Sequence, residues 1–357
     1  RGGQDEELPP AIYNMKIFCD GVYDLFHIGH VNHFEKIKKL YPESYLLVGI
    51  LNDEETTKYK RKPIFNEEKR KDFVDSCKYV DETTFDYPAI ITEEFMNKNN
   101  IDLVVHAFSD SNDFEKQLKF FKYPIEKNKF LKIDYDKSIS STEILKKMNL
   151  KENNSDEKNL DKEGWDLIWE KKGKTDDDDP IFLNGYEETK FNPLDCVNEI
   201  INQLKIKKGD KILEVGPGAG LLSKYFIDDY NYFGIDYSSS LVMKNIKLYN
   251  SKIFNCEARK LPFKDKYFDF IFSVCVFEYF PTKEYMREVL NEIDRVSKKG
   301  VYILNLRKVT HTSKKVKHKF EGVFKHIIYN EDDFPGYKVL ESSYEKTDRF
   351  SVIKFLK

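Results

Sequence analysis

The sequence predicts an α/β fold with two doubly wound domains, each a mostly parallel sheet flanked by helices. Three observations support this prediction. The chain has 357 residues, which is enough for two domains with separate cores. Continuous apolar runs such as Tyr45–Ile50, typical of buried parallel strands, alternate with segments of helical periodicity. Two strand-like segments end in glycine-bearing turns that lead into helices, at residues 21–30 and 216–220.

The composition favours a soluble protein. Charged residues make up 34% of the chain, hydrophobic residues 40%, and the formal net charge is −3. A charge this close to neutral produces no general attraction for nucleic acid or an anionic membrane, so an anion site has to be local. The sequence has no apolar run of membrane-spanning length, and its first residues lack the pattern of a signal peptide.

The cysteines are spaced without the pairing that predicts a zinc site or a disulfide framework. Those beside apolar runs are expected to act as small hydrophobic side chains. We therefore expect a reducing, cytoplasmic location. The five cysteines are Cys19, Cys77, Cys196, Cys256 and Cys275.

Composition divides the chain into four segments. Residues 1–14 are predicted to be a disordered extension or an expression remnant. Residues 15–149 form the first domain, and residues 150–164 form a polar linker without aromatic residues. Residues 165–357 form the second domain, which begins with a tryptophan-containing segment expected to pack over its site as a lid. The four aspartates at 176–179 are expected to be a solvated loop rather than a metal site.

The first domain alternates strand-like and helix-like segments. Strands are predicted at residues 16–18, 45–50, around Thr83 and 103–106, and helices at residues 67–77 and 92–98. A doubly wound sheet of this kind binds ligands at the carboxyl ends of its strands. His106 ends one of these strands and is therefore a candidate site residue.

Residues 19–30 contain the most informative motif of the chain. They connect the first strand to a helix and carry His27 and His30, whose spacing of three lets both face one anion at the helix start. A helix start offers unpaired N–H groups and a positive dipole end, and Gly29 allows close approach to the backbone. These features predict nucleotidyl transfer. The alternative is a histidine pair with only a packing or surface role.

Residues 16–148 resemble the H-x-G-H cytidylyltransferases, and among them the choline-phosphate and ethanolamine-phosphate branch. The resemblance implies transfer of CMP from CTP to a phosphorylated small alcohol, with Mg²⁺ bound alongside CTP and a homodimer formed through this domain. The catalytic residues that it implies are His27, His30 and Lys60, and the acceptor-binding residues are Asp20 and Lys60. The CTP-binding residues that it implies are Gly21, Val22, Tyr23, Gly29, His106, Ile139, Ser140, Ser141 and Thr142.

The serine-rich segment departs from the family pattern. The arginine, threonine, glutamate and glycine that precede the serines in the family are replaced by Tyr-Asp-Lys-Ser at residues 135–138. Loss of the arginine removes a bidentate phosphate partner, and whether Lys137 substitutes for it is open. Ser140 or Ser141 is also consistent with an ordinary helix cap.

The acceptor pocket also differs from that of the choline branch. Aromatic residues surround a trimethylammonium group in that branch, but its tryptophan corresponds to Ala89 and its tyrosines fall near Asp110 and Glu115. Asp20 is retained and can pair with a cationic head group. The resemblance therefore favours a primary amine over a quaternary one. Glycerol 3-phosphate is the alternative acceptor.

The second domain contains a strand at residues 211–215 that ends in a G-x-G-x-G turn before a helix. Dinucleotide-binding folds use a similar turn, so this feature alone is not specific. The next strand ends in Asp236, which can accept both ribose hydroxyls. The order of these segments resembles the Rossmann-like class I methyltransferases that use S-adenosylmethionine (SAM). The SAM-binding residues that the resemblance implies are Glu214, Gly216, Gly218, Gly220, Asp236, Glu257, Ala258 and Ser273.

The rest of the second domain fits this resemblance. A helix with clean periodicity is predicted around residues 286–296, and residues 337–343 and 349–356 are expected to form a closing antiparallel pair. The sequence does not choose among the candidate residues at the mouth of the methyl-acceptor pocket. These candidates are Glu278, Tyr279, Tyr186 and His311.

Both domains together predict a bifunctional cytoplasmic enzyme that joins CTP-dependent activation of a phosphorylated small alcohol to a methylation. The fusion suggests consecutive steps in one pathway. In the main alternative, the second domain is a regulatory sensor that binds SAM and reports methyl supply to the cytidylyltransferase. A Rossmann-like domain that binds without catalysis belongs to the same alternative.

Overall fold

The computed structural model of the chain describes residues 14–59, 61–134, 165–186, 191–308, 326–342 and 349–356. The chain divides into two compact units, residues 1–149 and 150–357. Several predicted features lie outside the described residues. They are residues 1–13, Lys60, the segment with Ile139, Ser140, Ser141 and Thr142, the linker at residues 150–164, and His311.

The first unit contains five strands and six α-helices among its described residues. The strands are β1 (Lys16–Gly21), β2 (Tyr45–Ile50), β3 (Glu82–Thr84), β4 (Leu103–Phe108) and β5 (Phe130–Asp134). The helices are α1 (Ile28–Leu40), α2 (Asp53–Tyr59), α3 (Glu67–Ser76), α4 (Glu93–Lys98), α5 (Ser111–Gln117) and α6 (Lys122–Glu126). The predicted strands at 45–50 and 103–106 and both predicted helices are confirmed to within two residues.

The sheet of the first unit has the strand order β3-β2-β1-β4-β5, and all neighbouring pairs are parallel. Its central strands are buried, as in the fully buried Phe18 of β1 and Val104 of β4, because helices cover a parallel sheet on both faces. The strand order reverses between β1 and β4. The carboxyl ends of these two strands therefore border the crevice in which such sheets bind ligands.

The second unit contains seven strands and five α-helices among its described residues. The strands are β6 (Lys211–Val215), β7 (Asn231–Asp236), β8 (Lys252–Asn255), β9 (Phe268–Val274), β10 (Ser297–Arg307), β11 (Lys338–Glu341) and β12 (Arg349–Phe355). The helices are α7 (Trp165–Gly173), α8 (Pro180–Leu183), α9 (Pro193–Leu204), α10 (Ser239–Tyr249) and α11 (Lys283–Val296).

These seven strands form one sheet in the order β11-β12-β10-β9-β6-β7-β8. Strand β12 is antiparallel to both β10 and β11, and the other neighbouring pairs are parallel. The predicted closing pair and the fold class of two mostly parallel α/β domains are therefore confirmed. None of the described helices combines the length and the apolar character that crossing a bilayer requires.

Helix α11 shows why the periodicity of this region was informative. The side chain of Thr282 caps its start by accepting a hydrogen bond from the Tyr285 N–H at 3.1 Å. Its apolar positions recur at helical spacing and all face the sheet. The buried positions are Met286, Val289, Leu290, Ile293 and Val296.

Candidate active sites

The two motif histidines of the first unit are fixed by the start of helix α1. His27 is the N-cap, and its Nδ1 accepts a hydrogen bond from the Gly29 N–H at 3.2 Å. His30 Nδ1 accepts in return from the His27 N–H at 3.2 Å. Because each Nδ1 is an acceptor, the neutral rings carry their proton on Nε2. The rings stack with centroids 3.8 Å apart, so both Nε2–H groups belong to one compact donor pair at the positive end of the helix.

Aromatic side chains hold the His30 ring in place. The Phe26 ring stacks on it with centroids 5.3 Å apart, and the Tyr23 ring meets it edge-on at 5.4 Å. Tyr23 has a positive φ of 55° and is 5% exposed, and its ring would lie 3.0 Å from a Cβ at position 21. Gly21 is therefore needed for Tyr23 to pack here. Tyr23, which the resemblance implied as a CTP contact, supports the histidine pair.

The carboxylate of Asp24 anchors a distant segment to the motif loop. It accepts hydrogen bonds from the N–H groups of Leu25 at 3.1 Å, Ile64 at 3.0 Å and Phe65 at 3.1 Å. It also forms a 3.0 Å ion pair with Arg61, and Asp24 is only 4% exposed. Sequence reasoning missed this role, because nothing in the pattern links residue 24 to a segment forty residues later.

Arg70 of helix α3 is a second anchor that sequence reasoning missed. It is fully buried and donates to the carbonyls of Val22 at 2.5 Å and Phe65 at 3.1 Å, and to Asp53 Oδ1 at 2.7 Å. Val22, which the resemblance implied as a CTP-binding residue, thus contacts Arg70 through its backbone carbonyl. Arg70 and Asp24 together fix the residues that follow Lys60 to the histidine loop.

The Asp24→Ala substitution is expected to lower the free energy of unfolding of the first unit by about 3 kcal/mol, because it leaves buried N–H groups and a guanidinium without their acceptor. Denaturant unfolding of the full chain measures this change. Asp86→Ala is the matched control, since the Asp86 side chain is 88% exposed and pairs only with Lys98 across the surface. Equal effects of the two substitutions would contradict the anchoring role.

Asp20 and His106 meet at the crevice. Asp20 lies near the end of β1 and His106 lies in β4, and the His106 Nδ1 is 3.0 Å from Asp20 Oδ1. Both side chains are largely buried. The acceptor-binding residue and the nucleotide-binding residue implied by the resemblance thus form one hydrogen-bonded pair. A cationic head group at Asp20 has to share this carboxylate with the imidazole.

His33 is a further histidine near this pair that sequence reasoning did not single out. Burial, together with smaller contributions from the nearby charges of His106 and Lys36, lowers the pKa of His33 to about 3. Its ring is therefore neutral at physiological pH. Its spacing of three from His30 is the signal that could have identified it.

The second unit contains a cavity of about 580 Å³ at the carboxyl ends of its parallel strands. The cavity extends from the glycine-rich turn after β6 to the far ends of β9 and β10. Five of the eight residues implied for SAM binding line it. They are Gly216, Gly218, Asp236, Glu257 and Ala258.

Two glycines of the turn are required by its geometry. Gly216 has a φ of 80°, and a Cβ there would lie 2.4 Å from a methyl carbon of Val276. Gly218 has a φ of 55°, and a Cβ there would lie 2.6 Å from the Asn184 amide. Only glycine fits both positions. The two glycines thus let Val276 and Asn184 pack directly against the turn, which itself lines the cavity.

Asn184 closes the turn from the segment that precedes the sheet. Its Oδ1 accepts from the Ala219 N–H at 3.1 Å, and its Nδ2 donates to the Pro217 carbonyl at 2.9 Å. Trp169 of helix α7 lines the same cavity and packs edge-on against Tyr279 at 5.3 Å. The region between residues 165 and 186 therefore forms part of the cavity wall.

Asp236 lies at the end of β7, where the ribose partner was expected. Its Oδ2 accepts from the Gly218 N–H at 2.9 Å, and its Oδ1 accepts from the Ser238 N–H at 2.9 Å. These bonds fix the carboxylate at the cavity wall and couple it to the glycine turn. The remaining lone pairs of the Asp236 carboxylate can accept hydrogen bonds from ribose hydroxyls.

Glu214, Gly220 and Ser273 are the three residues implied for SAM binding that are not among those lining the cavity. Glu214 is buried and accepts from the Tyr232 hydroxyl at 2.6 Å. Ser273 Oγ donates to the Val215 carbonyl at 2.9 Å. A Cβ at position 220 would meet the Tyr249 ring at 2.8 Å.

Comparison with known proteins agrees with both sites. The family model described as Cytidylyltransferase-like matches residues 18–147, and the model described as Methyltransferase domain matches residues 213–305. The chain joins a cytidylyltransferase-like domain to a methyltransferase domain. Neither match covers half of the chain.

The relatives similar to the cytidylyltransferase-like domain come from several eukaryotes. Choline-phosphate cytidylyltransferase 2 of Arabidopsis thaliana is 40% identical over 118 residues, which are 30% of this chain and 39% of that protein. Choline-phosphate cytidylyltransferase A of Homo sapiens is 33% identical over 141 residues, covering 38% of this chain and 37% of that protein. The chain thus spans less than two fifths of the length of these relatives.

A solved structure of a SAM-dependent methyltransferase from Methanosarcina mazei is similar to the other part of the chain. It has 19% sequence identity and a TM-score of 0.37, and the match covers 44% of this chain and 98% of that one. The assignment of the methyltransferase domain rests on the family model and on the cavity described above.

The far end of the methyltransferase cavity brings together three of the four candidates for the acceptor site. Glu278, Tyr279 and Tyr186 line this end. Burial raises the pKa of both phenols well above their usual value, so both remain protonated at physiological pH. They can therefore donate hydrogen bonds there but do not act as anionic bases. Arg307 and Arg349 line the same end and were missed by sequence reasoning.

Glu214 gives the methyltransferase domain a testable pH dependence. The pKa of Glu214 is raised from 4.5 to about 8, chiefly by burial; the Tyr232 hydrogen bond acts in the opposite direction and the charge of Asp236 in the same direction. An acid whose folded pKa is raised contributes its full stability below pH 4.5 and loses it as the pH rises to about 8. Each pKa unit corresponds to about 1.4 kcal/mol.

The Glu214→Gln variant mimics the protonated acid and is expected to lose this dependence. Its free energy of unfolding should match that of the wild type at about pH 4 and exceed it by an amount that grows toward pH 8. Denaturant unfolding of both proteins across this range measures the difference, and all other groups cancel in the comparison. A difference that does not change with pH would contradict a neutral Glu214.

Proposed function

We propose that this protein is a bifunctional enzyme of phospholipid head-group biosynthesis. Its first domain transfers CMP from CTP to a phosphorylated small alcohol of the phosphoethanolamine or phosphocholine type and releases pyrophosphate. Its second domain transfers a methyl group from SAM to a small-molecule acceptor of the same pathway. The observation that carries the first activity is the paired Nε2–H donors of His27 and His30 at a helix start.

The chemistry of the first reaction explains why this pair matters. The phosphate oxygen of the acceptor attacks the α-phosphate of CTP in line, so two anions have to be aligned while negative charge is stabilised. The two Nε2–H groups donate to the phosphate oxygens, and the helix dipole adds to the favourable field. Lys60, by resemblance, bridges both substrates. No covalent intermediate on the protein is needed.

Mg²⁺ is expected to bind together with the triphosphate of CTP. The part of the chain that the structure describes brings no three His, Cys, Asp or Glu side chains together as a metal site. Its protein ligands are therefore left unassigned, and the roles given to the two histidines do not depend on them.

The acceptor of the first domain is proposed to carry a primary amine. The Asp20 carboxylate, shared with His106, suits a head group that donates hydrogen bonds in defined directions. A quaternary ammonium needs an aromatic cage instead, and the tryptophan of that cage is replaced by Ala89. Phosphoethanolamine is thus the favoured acceptor, ahead of phosphocholine.

The second activity rests on the glycine turn and Asp236. In this proposal the turn with Gly216 and Gly218 lies beside the methionine part of SAM, Asp236 accepts from the ribose, and Glu257 and Ala258 flank the adenine; all five residues line the cavity. SAM supplies a methyl group on a cationic sulfonium, which an acceptor lone pair takes up as the carbon–sulfur bond breaks. The residues of the chain align the two partners, which is the main requirement of such a displacement.

We also propose a homodimer and a reducing compartment for this protein. The resemblance supports a homodimer formed through the first domain, which light scattering of the full chain can test. All five cysteines are free thiols, in agreement with a reducing compartment such as the cytoplasm.

Mass spectrometry of the products tests the whole proposal. The full chain is incubated with CTP, SAM and Mg²⁺ and with a panel of phosphoethanolamine, phosphocholine and glycerol 3-phosphate. We expect a CDP-linked product, pyrophosphate and S-adenosylhomocysteine (SAH), with phosphoethanolamine as the best acceptor of CMP. SAM binding without SAH from any acceptor would favour a regulatory sensor. A better rate with glycerol 3-phosphate would contradict the proposed acceptor.

A further inference from the structure

Two arginines face each other at the far end of the methyltransferase cavity. Arg307 ends β10 and Arg349 begins β12, and the two are register partners in the antiparallel ladder. Like charges opposite each other in a sheet are destabilising. Both side chains are nearly buried, with exposed fractions of 11% and 9%. Two nearly buried guanidinium groups therefore require negative charge close to them.

One carboxylate supplies part of that counter-charge. Glu278 Oε2 accepts from Arg307 Nε at 3.2 Å and from Arg349 Nη1 at 3.0 Å. The Glu278 side chain is 3% exposed. Arg349 Nη1 also donates to the Asn305 carbonyl at 2.7 Å. The three charged side chains together carry one excess positive charge, on planar groups that are suited to bind a phosphate.

These charges share their cavity with the predicted SAM site. Glu278, Arg307 and Arg349 line the same space as Gly218 and Asp236. The charged residues that line the whole cavity balance, so the positive excess is confined to the end with Glu278. These residues are the acids Asp236, Glu257 and Glu278 and the bases Arg259, Arg307 and Arg349. An anionic group of the acceptor at this end balances the local excess.

From this geometry we propose that the methyl acceptor is a small amine carrying a phosphate monoester, and that Arg307 and Arg349 bind the phosphate. The inference rests on the proposed methyl transfer and names the substrate class of that site. Glu278 holds the two guanidinium groups side by side and is a positioning residue. The hydroxyls of Tyr186 and Tyr279 at this end can hydrogen-bond the amine.

The size of the cavity favours the free phosphorylated amine over its CDP-linked form. A volume of about 580 Å³ has to hold SAM and the acceptor together. A CDP-linked amine is comparable to SAM in size, whereas a phosphorylated ethanolamine is several times smaller. In this proposal methylation precedes CMP transfer, and the methylated phosphobase is the substrate that the cytidylyltransferase domain then consumes.

The reaction balances as follows. The ammonium group of the acceptor first loses one proton to water. The nitrogen lone pair then forms a bond to the methyl carbon, and the carbon–sulfur bond breaks with its electron pair on sulfur. The products are a methylated ammonium and the neutral thioether SAH.

Substrate comparison tests this inference without any mutation. SAH release is measured in the absence of CTP, so that only the methyltransferase domain turns over. We expect kcat/KM for phosphoethanolamine to exceed that for ethanolamine by about 100-fold or more, as the loss of an arginine–phosphate contact predicts, and to exceed that for CDP-ethanolamine. Equal rates with ethanolamine, or a preference for CDP-ethanolamine, would overturn the inference alone. If SAM binds but no acceptor yields SAH, the proposed methyl transfer itself fails.

Matched variants assign the effect to the arginines. Arg307→Gln and Arg349→Gln are each expected to raise KM for phosphoethanolamine by about 10-fold to 100-fold while SAM affinity stays within twofold. The lysine variants at both positions should recover part of the loss. Lys308→Gln is the control, since Lys308 is exposed and pairs loosely with Glu331 at 4.0 Å. An unchanged KM in both glutamine variants would overturn the phosphate site.

Discussion

The His30→Ala variant is expected to transfer CMP about 1,000-fold more slowly than the wild type and to remain folded. Removing one preorganised donor from a site that stabilises developing negative charge costs about 100-fold to 1,000-fold in rate. His30 also positions its partner, because the two rings stack at 3.8 Å and the His27 N–H donates to His30 Nδ1. Loss of His30 therefore affects both donors, which places the expected effect at the upper end of this range.

Asparagine substitutions separate the chemical role of each histidine from its structural role. An asparagine side-chain oxygen can take the place of Nδ1 as a helix-cap acceptor. The side chain is too short, however, to place its N–H groups where the Nε2–H of histidine lies. His27→Asn and His30→Asn should thus preserve the start of α1 and still lose most of the activity. Steady-state release of pyrophosphate measures the rate, and SAM binding by the same protein shows that the other domain is intact.

The outcome distinguishes the proposed site from a mere helix cap. If the asparagine variants retained full activity while the alanine variants were slow, the histidines would act only through the cap. If both sets of variants were fully active, the assignment of this loop to CMP transfer would be wrong. Loss of activity in both sets, with an unchanged unfolding midpoint in the asparagine variants, is the expected result.

Most of the fold could be predicted because its signals are local. The apolar run Tyr45–Ile50 and the helical periodicity around Met286 each depend on residues within a few positions of one another. The position of both sites followed from the same logic, since a glycine-bearing turn between a strand and a helix is a local pattern. His27, His30 and Asp236 were singled out as candidates in this way.

Contacts between distant residues could not be predicted in this way. Asp24 meets Ile64, and Arg70 meets Val22, across forty residues or more, and only packing of the whole domain brings these groups together. Arg307 and Arg349 became neighbours through the register of two antiparallel strands. Register follows from the whole pattern of burial rather than from either arginine.

Which motif side chains reach the cavity was also beyond local reasoning. Glu214 belongs to the strand before the glycine turn, yet its carboxylate accepts from the Tyr232 hydroxyl inside the domain. Asp236 belongs to the next strand and does line the cavity. The register pairs Glu214 with Gly234, so Glu214 lies two positions deeper in the sheet than Asp236, which ends its strand at the cavity.

The second large effect is expected from Asp236→Asn, which should weaken SAM binding by about 100-fold. The carboxylate accepts from the Gly218 and Ser238 N–H groups and, in our proposal, from the ribose hydroxyls as well. The asparagine side chain replaces one acceptor oxygen by an NH2 group. This donor then faces one of the N–H donors that the carboxylate oxygen accepted from. The loss of charge-assisted hydrogen bonds of about 1.5–3 kcal/mol each accounts for an effect of this size. Calorimetry on the full chain measures the affinity.

A control variant and an altered ligand show whether the effect passes through the ribose. Asp265→Asn should bind SAM normally, because the Asp265 side chain is 76% exposed and pairs with Arg295 instead. SAH and its 2′-deoxy analogue complete the test as a double-mutant cycle. If Asp236 binds the ribose, the variant loses much less affinity for the deoxy analogue than for SAH. Equal losses for both ligands would mean that Asp236 acts only by holding the Gly218 turn, because the turn is the same whichever ligand is bound.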